Sequence, residues 1–279
     1  MKKGVHVKRY KVRPKQKVNL EKWNPADTSG FDGNEEDALE LSKHLTKKLE
    51  FLQGMLYAEH KHSVLVVLQA LDTGGKDGTI RRVFEGVNPQ STRVASFKVP
   101  TPYEQDRDFL WRVHEQIPGR GEMVIFNRSH YESVLVERVH KLVPPEVWKE
   151  RYKDINDFER LLSESGTIIM KFFLHISKEE QKKRLQDRLK DPTKRWKFSV
   201  NDLHERDFWA DYVKAFEVAL EETSTVLAPW YVIPANNNWF RDLIVSSVIV
   251  RTLQKAHMRY PAAPKDLPPG KSLKSIVIK

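Results

Sequence analysis

The chain has 279 residues, 39% of them hydrophobic and 31% charged, with no cysteine and a net charge of +10. That is enough for one large α/β domain, and it excludes disulfides and thiolate metal sites. No stretch approaches the roughly 18–20 apolar residues of a membrane span, and the basic N-terminus lacks the apolar run of a signal peptide, so a cytoplasmic protein is expected. The basic excess favours polyanionic partners.

In chain order, residues 1–33 are basic and interrupted by Pro14 and Pro25. They read as an extended arm, packed on or crossing a neighbour. Leucines 39, 41, 45, 49, 52 and 56 then recur at spacings of mostly three and four. This predicts a long amphipathic helix, whose leucine face serves as core or as a dimer surface. Ser63–Gln69 is a continuous apolar run, as in a buried parallel strand. A helix follows from Asp77 to about Gly86. Further strands are predicted at Thr92–Phe97, Glu122–Phe126, Thr167–His175 and Trp230–Ile233. Helices are predicted over Pro102–Gln116, Tyr131–Lys141, Pro145–Ser163, Lys178–Leu189, Leu203–Thr223 and Trp239–Lys255. About five apolar strands alternating with helices predict a parallel sheet covered on both faces, a three-layer αβα fold. One domain is expected over 34–260, with a helical insertion near 178–200 and a loose Pro- and Lys-rich tail over 261–279.

The chemistry concentrates at LDTGGKDGTI, residues 71–80. It follows a buried strand and precedes a helix, as a phosphate-binding loop should. It departs from the common pattern twice, with Ala70 in place of the first glycine and Asp77 in place of the magnesium-binding hydroxyl. Gly74, Gly75 and Gly78 let backbone amides converge on phosphate, and Asp77 and Thr79, at the start of the following helix, are counted with them as phosphate-binding positions. Lys76 is placed to bridge phosphates. Asp72 and Asp77 would repel a phosphate unless a divalent cation lay between. Asp77 reads equally as a helix cap.

The third strand ends in FNRSHYE, residues 126–132. The usual magnesium-binding Asp is replaced by Asn127, so the missing charge must come from Asp72 or Glu132. Arg128 is placed to reach a transferring phosphoryl group. Ser129 reads equally as a cap. The segment 181–197 carries Arg184, Arg188, Lys194 and Lys197 among its cations. In this order of elements it reads as a mobile lid over phosphates. Trp209, Tyr212 and Phe216 read as core rather than as base-stacking residues.

These motifs, together with FKVPTPYEQDRDFLWRVHEQIP, RLKDPTKRWKFS and APWYVIPANNNWFRD, resemble the polyphosphate kinase 2 family over about residues 20–260. The resemblance implies a thymidylate-kinase-like P-loop fold with a helical lid. It implies phosphate transfer between inorganic polyphosphate and nucleotides, with Mg2+ or Mn2+, in a dimer or tetramer. Asn127, His130 and Glu132 look like the subgroup that phosphorylates AMP as well as ADP. On that footing Asp72, Glu132 and Asn127 would hold metal, while Lys76, the loop amides and Arg128 would grip phosphates. Arg112 would bind the acceptor phosphate or form a surface ion pair. Arg184, Arg188, Lys194 and Lys197 would line the polyphosphate channel. The base would lie near Val99, Pro100 and Thr101. The rivals are an ATP-dependent nucleotide kinase and a non-enzymatic nucleic-acid-binding protein. Pairing the cations with Asp72, Asp77 and Glu132 argues against the second, so no nucleic-acid partner is expected.

Overall fold

The computed structural model describes residues 4–262, so the tail expectation lies largely outside the described residues. Five strands form the sheet: β1 (Ser63–Gln69), β2 (Thr92–Ser96), β3 (Met123–Asn127), β4 (Thr167–His175) and β5 (Trp230–Pro234). Their order is β2-β3-β1-β4-β5, and every pairing is parallel. β1 is central, and all seven of its residues are buried. Its side chains alternate between two cores, as the pleat requires. Val64, Val66 and Leu68 face one side, Leu65 and Val67 the other.

The first side is covered by α1 (Glu35–Glu59) and α10 (Asn238–Lys255), which pack on each other. Asn34 and Asp37 start α1 with a reciprocal capping box, and His60 ends it in the left-handed region. Leu49, Leu52 and Leu56 are core, whereas Leu39 at the start of α1 is half exposed. The second side is covered by α6 (Pro145–Glu164) and α9 (Trp209–Thr223).

The basic arm lies on its own domain. Lys11 bridges Tyr231 in antiparallel fashion, and the Val12 amide donates to the Trp230 carbonyl. The arm thereby shields the β5 edge of the sheet, which would otherwise expose unpaired backbone. The amides of Val18 and Leu20 donate to the carboxylates of Glu221 and Glu217 on α9.

Three predicted helices are broken. The segment 102–116 forms two single turns, α3 (Pro102–Gln105) and α4 (Trp111–His114). Between them the Asp108 carboxylate accepts from the Leu110 amide, a local bond that competes with helix continuation. The segment 131–141 is a 3-10 turn at His130–Ser133, then α5 (Val136–Val139). The predicted 203–223 helix is likewise divided, because α8 (Asn201–Glu205) and a 3-10 turn precede α9. The remaining helices, α2 (Lys76–Val83) and α7 (Lys178–Lys190), lie where expected.

Candidate active site

The site forms where β1 and β3 end side by side, at the carboxyl edge of the sheet, the place where open α/β sheets bind ligands. The two ends are tied together. The Arg128 amide donates to the Leu68 carbonyl at 3.1 Å, and the Gln69 amide group donates to Ser129 Oγ at 3.1 Å. Ser129 also accepts from the Tyr131 amide, which caps the turn after β3.

The loop after β1 turns through Thr73 and Gly75, with φ of 61° and 99°. Gly75 caps α2, and a Cβ there would collide with the Arg241 guanidinium. Gly75→Ala therefore combines left-handed strain with a steric clash. We expect kcat/KM for a phosphate donor to fall about tenfold or more, with the thermal midpoint moving only a few degrees. Steady-state kinetics with parallel melting checks this.

Lys76 folds back over the loop, its Nζ donating to the Ala70 carbonyl at 3.0 Å. Burial, helped by Arg128, pushes its ammonium down to about 8, against the pull of Asp72, Glu132 and Asp77. Arg128 is also left-handed, with φ of 63°. Its Nη2 lies 2.9 Å from Asp72 Oδ1 and its Nη1 lies 3.4 Å from Glu132 Oε2. One guanidinium thus holds two carboxylates apart.

Asp77 lies in the first turn of α2, whose N-cap is Gly75. Its Oδ1 accepts from the Asn127 amide at 2.9 Å and its Oδ2 pairs with Lys197 at 3.2 Å. Burial works to raise its pKa, but the bonds from Asn127 and Lys197 outweigh it and lower the pKa. The Lys197 contact draws the segment after α7 over the loop. Arg188, at the end of α7, pairs with Asp202 of α8 at 3.4 Å.

Two cavities flank this centre and share Asp72, Arg128 and Asp202. The first, about 740 Å³, is bounded by the glycine loop and by the cations Arg81, Lys98, Arg188, Lys194 and Lys197. The second, about 590 Å³, combines apolar walls such as Leu71, Leu135 and Phe216 with the carboxylates Glu132 and Glu205. Tyr212 and Phe216 are buried and contribute to the second core, as expected, yet both also border this cavity.

Three expected phosphate ligands have other contacts. The Thr79 hydroxyl is fully buried and donates to Asp242, so the helix turns it away from the loop. Arg184 lies beneath the loop, donating to the carbonyls of Thr73, Ala235 and Asn236, and does not border the first cavity. Arg112 pairs with Glu104 at 3.2 Å, the ion-pair alternative. Sequence reading missed Arg241, which supports Gly75 from behind, and Asp202, which stands between the cavities. Burial raises the Asp202 carboxyl, and the charge of Asp72 adds to the rise. Arg241 stands within APWYVIPANNNWFRD, a stretch that shows no role for it, and no local pattern marks Asp202.

Among the described residues, no group of three or more His, Cys, Asp or Glu could hold a metal ion by itself. Arg128 engages both Asp72 and Glu132, and the Asn127 amide donates to Asp77. Two carboxylates and a carboxamide oxygen are the hard oxygen donors that Mg2+ takes, with its remaining ligands drawn from water and phosphate.

The model of the family described as polyphosphate kinase 2 matches residues 32–261. An AMP/ADP-polyphosphate phosphotransferase of Meiothermus ruber is 58% identical over 255 residues, 91% of this chain and 96% of that protein. An ADP-polyphosphate phosphotransferase of Rhodopseudomonas palustris is 44% identical, covering 92% and 93%. The crystal structure of polyphosphate kinase 2 from Arthrobacter aurescens superposes with a TM-score of 0.90 at 41% identity, covering 92% of each chain. With family model, sequence and fold in agreement, the chain belongs to the polyphosphate kinase 2 family.

Proposed function

We propose that this chain transfers the terminal phosphoryl group of inorganic polyphosphate to AMP and to ADP, giving ADP and ATP. The observation that carries the reading is the pair of unlike cavities meeting at Asp72 and Arg128. The cationic one suits a long polyanion. The apolar and acidic one suits a nucleoside, with its phosphate turned toward the shared centre. The name of the Meiothermus ruber relative supports AMP as an acceptor besides ADP.

In this reading an oxygen of the acceptor phosphate attacks the terminal phosphorus of the chain in line. The bond to the next bridging oxygen breaks, and the chain leaves one phosphate shorter. Lys76, the loop amides and Arg128 hold the transferring group and its neighbours, so the work is positioning and charge neutralisation. Lys194 and Lys197 guide the chain, and Arg188 holds Asp202 at the boundary of the two cavities. Mg2+ bound by Asp72 and Glu132, with Asn127 beside them, would neutralise phosphate charge. Asp72 and Glu132 orient the acceptor phosphate across the Arg128 guanidinium.

Homo-oligomerisation and a cytoplasmic location belong to the same proposal. The half-exposed Leu39, Phe51 and Tyr57 on α1 support the first. Among the described residues no helix is long and apolar enough to cross a membrane.

The test is incubation with magnesium, long-chain polyphosphate and AMP, without ATP, followed by chromatography. ADP followed by ATP is expected. ATP from ADP but nothing from AMP would remove the AMP-accepting part. Activity only with ATP as donor would move the reading to an ordinary nucleotide kinase.

A further inference from the structure

Glu205 ends α8 and borders the second cavity, yet nothing in the phosphate-transfer reading uses it. Its surroundings are built. Glu205 Oε2 accepts from the Tyr212 hydroxyl at 2.8 Å and lies 3.0 Å from His140 Nε2, which must donate because a carboxylate only accepts. Phe208 packs against the imidazole, with ring centroids 4.8 Å apart. Among the described residues the second oxygen, Oε1, has only a long contact of 3.4 Å from the Asn201 side-chain amide. One oxygen is therefore fixed by two donors, and the other retains acceptor capacity at the cavity.

We propose that Glu205, oriented by His140 and Tyr212, accepts hydrogen bonds from the ribose hydroxyls of the acceptor nucleotide and so selects ribonucleotides over 2′-deoxyribonucleotides. The proposal rests on the second cavity being the acceptor site. A carboxylate needs donors, and the vicinal 2′- and 3′-hydroxyls are the donors that every ribonucleotide offers whatever its base. Position supports the sugar rather than the base. Glu205 and Tyr212 line the same cavity as Asp72, Arg128 and Glu132. Glu205 thus shares the cavity with the transfer centre, and the ribose is the part of a nucleotide next to its phosphate. Toward the rim the same cavity offers Val99 and Leu142, 86% and 66% exposed, an apolar surface that any base can lie against.

The alternative is that Glu205 only fastens α8 to His140 and Tyr212. Calorimetric binding of AMP and 2′-deoxyAMP, with kcat/KM for each, separates the two. The wild type is expected to favour AMP by about tenfold or more, the effect of one hydrogen bond to a charged acceptor. Glu205→Gln should bring the ratio within about threefold, through loss on the AMP side. His140→Gln loosens the carboxylate without removing it, should lower the ratio less, and serves if Glu205→Gln fails to fold. Equal affinities in the wild type, or equal losses for both ligands in the variants, would overturn the proposal. Ribose discrimination in binding without any ADP formation would support it while defeating the phosphotransfer reading.

Discussion

Arg128→Ala is expected to lower kcat by about 10²–10³-fold with AMP or ADP as acceptor, the usual effect of removing one charge-stabilising group from a transfer centre. The reason lies in its two-sided contact. Its Nη2 holds Asp72 and its Nη1 holds Glu132, while its backbone is locked left-handed at the end of β3. Without the guanidinium the two carboxylates face each other, and face incoming phosphates, with less positive charge between them. Arg128→Lys keeps a charge but cannot span both carboxylates, so it should recover only part of the rate. Asp72→Asn should cost a similar factor. Because the two residues act as one unit, the double variant should be little worse than either single one. Steady-state rates, with melting curves as a folding control, check this. Arg128→Ala within threefold of wild type would remove Arg128 from the centre.

The architecture was legible in the sequence because its strands are apolar and its turns are marked. β1 and β4 lie where their apolar runs end. The glycine loop is also where expected, since strand, loop and helix are contiguous and Asp72, Lys76 and Asp77 carry their spacing with them. The charge of the lid was visible, but its direction was not. Arg184 and Lys197 look alike in sequence. Arg184 has carbonyl partners at Thr73 and Ala235, distant in the chain, whereas Lys197 reaches over the loop to Asp77. Thr79 was misjudged for the same reason, because Asp242, which takes its hydroxyl, is 163 residues away. Helix breaks at 106–110 and 206–208 depend on local side-chain bonds and tertiary packing that periodicity does not encode.

Lys171→Met is expected to destabilise the fold by about 3–5 kcal/mol, because it leaves a buried carboxylate unpaired. Lys171 stands on β4, fully buried, and donates to Glu159 at 2.5 Å, to the Tyr131 hydroxyl at 2.8 Å and to the Thr223 carbonyl at 2.7 Å. Glu159, on α6, is 1% exposed. Burial works to raise its carboxyl pKa, but Lys171 and His130 outweigh it and lower the pKa. The sign follows from linkage. This stabilisation is fully present above the unfolded carboxyl value of about 4.3 and is lost as pH falls through the lower folded value. Melting midpoints should therefore drop on the order of 10 °C at neutral pH in Lys171→Met or Glu159→Gln. Replacing both partners by apolar residues should restore most of the loss, since no charge is then left alone. Tyr131 belongs to the network and to the turn that carries Arg128 and Glu132. The single variants should consequently lose activity below their melting temperature, while the apolar double variant regains stability before it regains rate. Unchanged melting in Lys171→Met would show that the pair contributes nothing net, and the turn after β3 would then need another anchor.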